Sequence, residues 1–537
     1  MNFVQKISKE KCVLWTTILF VVVITLLAWQ SDDAYHAYVM AKHLVEGNGF
    51  VYNIGERATA STCPLFTLVI ALGYFVFRNM YLVSLLICIL FSSSAYFVVV
   101  KNFCKTTVQV IATFLSFALS HCFISFTTAG LENCMLFFWA ALFLKIYVGK
   151  EKYNARDLFK LAILLSLIAM TRMDMVLAFV PAIVFGYLFR RESCSFIKAA
   201  LIGLAGLMPF ILWELFATFY YGFPFPNTAY VKLGASMPLL DYIIRGQDYF
   251  FATLLFDPIV VLVPIISIFL VAIKKDIKMI ACSLGTLLYI AYLFYIGGDF
   301  MVGRLYTVIF FISIIVFLWF VNSINNKKRF AAGWLSFAVG CFVLSILIRP
   351  VTVSLFYPNG PTADERSYYF VRTSLINNTR AYLKTGELLI WETWSEEKDL
   401  YKLREAGDDE RYLVDMASGI VVYEYSGHYM VDRYALGDPF LSKLPAIYTP
   451  DWRVGHFYRD VPIGYKNTVK YDQNMIQNKS LSEYYEKIKL ITRGPLFSKD
   501  RIKAIIDINT GKYDYLIDDY VSTLDENNAQ ILVSNNI

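Results

Sequence analysis

Apolar runs recur along the first two thirds of the chain, near 12–29, 80–100, 107–125, 132–148, 159–171, 173–189, 197–221, 251–273, 278–296, 302–322 and 330–348. Most are long enough, as helices, to cross a hydrocarbon core of about 30 Å, and they predict about eleven transmembrane helices. The segment from Pro64 to Phe77 is just as apolar. At 1.5 Å per residue it covers roughly 21 Å, which suits a re-entrant or interfacial helix better than a span. From about residue 350 the pattern changes to mixed charged and turn residues. The stretches VVYEY and HYMVDRY, separated by a Ser-Gly turn between 421 and 434, alternate in the manner of strands. This predicts a separate soluble α/β domain.

The polar stretches between the runs fix an orientation. Lys101 and Lys105; Lys150, Lys152 and Arg156; Arg190 and Arg191; Lys274, Lys275 and Lys278; and Lys327, Lys328 and Arg329 form basic clusters in alternate connections. If Pro64–Phe77 does not cross, the positive-inside bias puts these clusters and the N-terminus in the cytoplasm. The opposite side then collects every unusual polar element: a first loop at 30–63, TTAGLEN ending at Asn133, TRMD ending at Asp174, the stretch opening GFPFPNTAYVKLG after Tyr221, and GGDFMVGR from Gly297 to Arg304. Charged residues gathered at one membrane surface describe a site. The expected division is a transmembrane catalytic domain at 1–349 and an extracytoplasmic domain at 350–537, a candidate for acceptor binding.

Composition agrees with an integral membrane protein: 57% of the 537 residues are hydrophobic and 17% are charged, with a mean hydropathy of +0.51. The net charge of +6 sits in the connecting clusters, which argues against a nucleic-acid partner. All nine cysteines lie at or before Cys341, so the tail forms no internal disulfide, and no CxxC or Cys/His ligand cluster occurs. The first apolar run follows Lys6, Lys9 and Lys11, exceeds the core of a signal peptide and reads as a retained anchor.

Asp32 and Asp33 open the first loop. On a helix they point about 100° apart, so one can face a substrate while the other caps a helix or orients a loop. A carboxylate within hydrogen-bond reach of a sugar hydroxyl can take its proton as it attacks; capping the helix expected over 33–46 is the alternative. Asp299 follows Gly297 and Gly298, which would let backbone approach a ligand, and Arg304 offers a forked donor set to a phosphate. A solvated Gly-Gly turn is the ordinary alternative. Arg172 is a phosphate contact or half of a local salt pair with Asp174. Glu132 reads as a helix N-terminal acid. Arg57, Tyr230 and Lys232 are candidate headgroup or sugar contacts, with snorkelling the alternative for Lys232. His36 and His43, two turns apart, read as surface histidines.

DDAYHAYVMAKHLVEGNGFVYNIGER with TCPL, then TTAGLEN, TRMD, FPNTAYVKLG and GGDFMVGR, and in the tail DMASGIVVYEYSGHYMVDRYALGDPFLSKLPA and WRVGHFYRDVPIGY, follow one another in an order that resembles the AftB-like bacterial membrane glycosyltransferases, related to terminal arabinofuranosyltransferases, of the GT-C superfamily. The resemblance runs from about residue 15 to 470. It implies a polytopic enzyme of the bacterial cytoplasmic membrane that uses a polyprenyl-phosphate sugar, with an essential acid in the first extracytoplasmic loop. Carried onto this chain, it makes Asp33 or Asp32 the general base. Asp299 and Arg304 would line the same cavity, Arg172 and Lys232 would also serve the donor phosphate, and Arg57, Glu132, Asn227 and Tyr230 would line the substrates.

The reaction so implied is a single displacement with inversion, moving the sugar to a cell-envelope glycan or glycolipid. No cofactor is expected; a divalent ion between carboxylates and phosphate is the alternative, without a dedicated cage in view. The competing functions are a transporter or flippase for a lipid-linked sugar and a ligase joining a whole glycan to a lipid acceptor.

Overall fold

Helices begin and end close to where the apolar runs do. In a computed structural model of the chain, which describes residues 8–192, 194–234, 237–325, 327–356, 361–392, 412–415, 419–448, 452–524 and 531–532, most of the elements are helical. Among the described residues four helices are long and apolar enough to cross a bilayer: Met80–Asn102, Phe196–Tyr221, Ile277–Tyr295 and Arg329–Ile348. The count reaches six if each of two bent pairs is one span. The chain is a helical membrane protein. Pro64–Phe77, Asn133–Gly149, Met173–Phe189 and Tyr306–Asn322 are apolar helices of shorter length.

Two runs that read as continuous spans are broken. The chain turns by 76° between Thr107–Ala118 and His121–Thr128, and by 107° between Leu239–Phe256 and Pro258–Lys274. Pro258 has no amide hydrogen to continue the preceding helix. Asp257, just before it, is buried and accepts from the Ser120 hydroxyl at 2.7 Å and the Cys122 amide at 2.8 Å. One carboxylate thus ties the two bends together.

Contacts divide the chain into two compact units. The first comprises Met1–Ser31, Tyr81–Ile211 and Leu240–Gly386. Its core contains the Tyr306–Asn322 helix, buried on nearly every side, as a helix apolar all round must be. Phe311 stacks there on Phe117 at 5.5 Å and on Phe137 at 5.3 Å. Capping boxes at Thr106/Gln109 and Asn154/Asp157 start two of its helices.

The second unit comprises Asp32–Met80, Leu212–Leu239 and Glu387–Ile537. It therefore joins the first loop and the 212–239 segment to most of the tail, a division that differs from a cut at 349/350. Its core includes Val39, Met40, Phe50, Tyr52, Ala217, Tyr221, Val422 and Met430, drawn from all three segments. The helix Ala34–Val45 is buried along most of its length. His36 and His43 are buried with it rather than exposed, and His43 Nε2 lies 3.0 Å from the Ser426 carbonyl.

In the tail, HYMVDRY contains the strand Tyr429–Asp432 as its pattern predicts, but VVYEY differs. Gly419–Glu424, which includes most of VVYEY, is a helix whose Ile420, Val421 and Val422 are buried. Packing against Ala34–Val45 overrides the strand preference of the valines. Among the described residues the strands form two pairs only: Tyr412–Asp415 with Tyr429–Asp432, parallel, and Ala446–Ile447 with Ile531–Leu532, antiparallel. Residues 416–418, part of the tail motif quoted above, lie outside the described residues.

Candidate functional site

The candidate residues divide between the two units. In the first, four of them converge. Glu132, which precedes the Asn133–Gly149 helix, is buried and receives Arg172 Nη1 at 2.8 Å and Arg304 Nη2 at 3.1 Å. Arg304 also lies 3.7 Å from Asp299, and Arg172 Nε donates to Asp174 at 2.8 Å. Charge alternates along the string Asp299, Arg304, Glu132, Arg172, Asp174, with one carboxylate in excess.

The local backbone explains how Asp299 and Arg304 reach Glu132. Gly297 and Gly298 have φ of 80° and 77°, in the left-handed region that favours glycine. A Cβ on Gly298 would strike the Tyr249 ring, so these glycines admit a neighbouring helix where the sequence suggested a ligand. Both guanidinium groups are already bridged by Glu132.

In the second unit the two aspartates separate in role. Asp32 is buried, and its carboxylate accepts the amides of Gly419 at 2.7 Å and Ile420 at 3.0 Å, capping the first turn of the Gly419–Glu424 helix. Burial raises its pKa, and the two amide hydrogen bonds work against that rise. Asp33 is half-buried at the start of Ala34–Val45, and its side chain does not cap that helix.

The field of Asp33 acts on His456. Partial burial lowers the imidazole pKa, Asp33 raises it, and Arg453 and Lys232 lower it again. These four groups therefore share one electrostatic neighbourhood. Tyr434 packs edge-on against the His456 ring, with centroids 5.1 Å apart, and donates to the Tyr458 hydroxyl at 3.1 Å. Gly455 has φ of 86°, and a Cβ there would come within 3.0 Å of Lys232 Cε. The lysine crosses the chain at the one residue type that leaves it room.

The other candidates of this unit have varied partners. Arg57 donates to the carbonyls of Ile491, at 3.2 Å, and Gly494, filling orphan acceptors at the end of the Lys479–Arg493 helix. Tyr230 lies beneath the Lys443 ammonium. Asn227 is tied through its amide to the Thr59 carbonyl at 3.1 Å, and its buried Nδ2 has no hydrogen-bond partner among the described residues. The same is true of Thr228 Oγ1 and His36 Nε2. Buried polar atoms are nearly always paired, so orphans such as these, which are among several in the unit, mark places for a polar ligand or water.

Sequence reading assigned no role to His456 or Arg453, although WRVGHFYRD packs charged and aromatic residues more densely than its surroundings. Among the described residues no group of three His, Cys, Asp or Glu side chains is placed to hold a metal ion. No family model matches the chain, and a search of curated proteins found no match.

Proposed function

We propose that this protein is an inverting membrane glycosyltransferase that moves a sugar from a polyprenyl-phosphate donor to a cell-envelope glycan or glycolipid on the extracytoplasmic side, with Asp33 as general base. The observation that carries this reading is the division of labour in the aspartate pair. Asp32 is consumed as a helix cap, whereas Asp33 stays half-buried and acts electrostatically on His456, as Lys232 and Arg453 also do. In the reaction, Asp33 takes the acceptor hydroxyl proton as that oxygen bonds to the anomeric carbon. The bond from that carbon to the phosphate oxygen breaks, its electron pair leaving with polyprenyl phosphate. Lys232 and Arg453 neutralise the departing phosphate. The leaving group needs no proton, and a single displacement inverts the anomeric centre. The resemblance in the first loop and tail supports the donor class, and the basic clusters support the orientation.

The test is transfer in proteoliposomes from a synthetic polyprenyl-phosphate sugar. Asp33→Asn, close to isosteric but a far weaker base, is expected to abolish transfer at unchanged protein level and donor affinity. Turnover at the wild-type rate would reject Asp33 as the base.

One observation favours a transporter of lipid-linked sugar instead: the buried string centred on Glu132 is the kind of ionisable network that couples ion movement. Movement of donor across the bilayer without glycosidic product in the same vesicles would select that reading.

A further inference from the structure

The Lys499–Asn509 helix of the tail is fixed to the end of a candidate span. Arg501 is fully buried, and its Nη2 donates to the carbonyls of Phe219 and Tyr220, each at 2.8 Å, in the last turn of the Phe196–Tyr221 helix. Asn509 donates to the Gly222 carbonyl at 2.8 Å. Gly222 itself, at φ of 85°, sits so close to Ile491 and Ile505 that a Cβ would collide with Ile491. Phe497, just before the helix, meets the Phe219 ring at 5.4 Å between centroids. The helix is therefore held level with the C-terminal end of that candidate span.

Its two faces differ. Arg501, Ala504, Ile505 and Ile508 are buried. On the opposite face, at helical spacing, lie Lys499, Ile502, Lys503 and Ile506, all exposed. Phe497 is 81% exposed and Ile506 58%. Asp500 and Asp507 stand on the flank, and Asp507 is paired with Lys512 at 3.0 Å. Exposed isoleucine and phenylalanine alternating with lysine make a poor water-facing surface and a good interfacial one.

We propose that this face, Phe497 with Lys499, Ile502, Lys503 and Ile506, rests on the lipid surface at that end of the span, its apolar side chains entering the headgroup boundary and its lysines meeting anionic phosphates. Continuity with the span and the paired lysines select lipid over a second copy of the chain or another protein. The tail is thereby clamped to the bilayer, independently of the reaction proposed above.

The full chain in nanodiscs, with and without phosphatidylglycerol, provides the test. Cys194, the only cysteine that is not buried, is replaced by Ser, and a nitroxide is attached to single cysteines at 497, 502 and 506. High oxygen and low nickel-chelate collision rates at all three positions, at a depth of about 5–10 Å, are expected. High nickel-chelate collision means water and overturns the proposal. Low collision with both reagents means a protein partner and overturns it too. The Lys499→Glu, Lys503→Glu double variant, and nanodiscs of phosphatidylcholine alone, are expected to move the labels toward water; unchanged depth in both would remove the anionic headgroup from the proposal.

Discussion

Asp32 and Asp33 are neighbours with opposite expected phenotypes. Asp32→Ala strips the cap from Gly419 and Ile420 and leaves two buried amides without acceptors, at a cost of about 1–3 kcal/mol. Its thermal midpoint should fall while Asp33→Asn melts as wild type. The reverse ordering in a thermal-shift measurement would exchange the two roles. Glu132 offers a similar discrimination in the other unit. Glu132→Gln weakens both buried pairs, although Arg304 keeps Asp299 and Arg172 keeps Asp174. A loss of about 3 kcal/mol is expected, at the lower end for breaking a buried ion pair. Full stability with lost turnover would make this string part of the chemistry rather than a brace. The sequence exposed these acids but not their partners: nothing near Glu132 in the chain announces Arg172 and Arg304.

Single helices show where sequence reading succeeds and where it stops. Pro64–Phe77 and the four helices long enough to cross a bilayer were legible because a run of apolar residues fixes its own length; of the eleven spans expected, others are shorter or bent helices. The bends at Ser120 and Asp257 were not, because hydropathy continues through them while a long-range hydrogen bond decides the geometry. Ala34–Val45 read as a surface helix because His36, Lys42 and His43 are polar. Their partners are Tyr52, Ser426 and the carbonyls of Val51 and Ser426, mostly distant in sequence. The short turn at Leu441–Lys443 carries a pH-dependent contribution. Asp438 accepts the amides of Phe440 and Leu441 and the Tyr465 hydroxyl at 2.8 Å. Burial, then the nearby Glu56, push its pKa up to about 7. The folded carboxyl thus keeps its proton to higher pH than the unfolded one, which loses it near 4. The stability it contributes is complete below about pH 4 and is lost as pH rises toward 7. Thermal midpoints of the wild type should fall across that window, and Asp438→Asn should flatten the profile; a wild-type midpoint that does not change with pH counts against this assignment.

At the scale of the whole molecule, the tail reads in sequence as an appendage. In the second unit it supplies core: Val422 and Met430 pack with Val39, Met40 and Tyr52, and Arg493 pairs with the buried Glu56 at 3.2 Å. Hydropathy separates membrane from water, and it says nothing about which polar segments share a core. If the proposed function holds, a chain ending near residue 349 should lose transfer, because Ala34–Val45 loses the buried partners that the tail supplies. Limited trypsin digestion should cut the truncated protein at Lys42 and Arg57 and spare the intact one. Protection and donor hydrolysis surviving truncation would show the tail to be separable after all.

The bond from the Gly419 amide to Asp32 spans 387 residues. At roughly 5–20 residues per second, a ribosome needs on the order of half a minute to a minute between releasing the first loop and supplying its cap. During that interval the Asp33 segment is already made and can pack on Pro64–Phe77 and the 212–239 segment, but Asp32 has no helix to cap. The first loop therefore completes its packing only after the residues around Gly419 have been made.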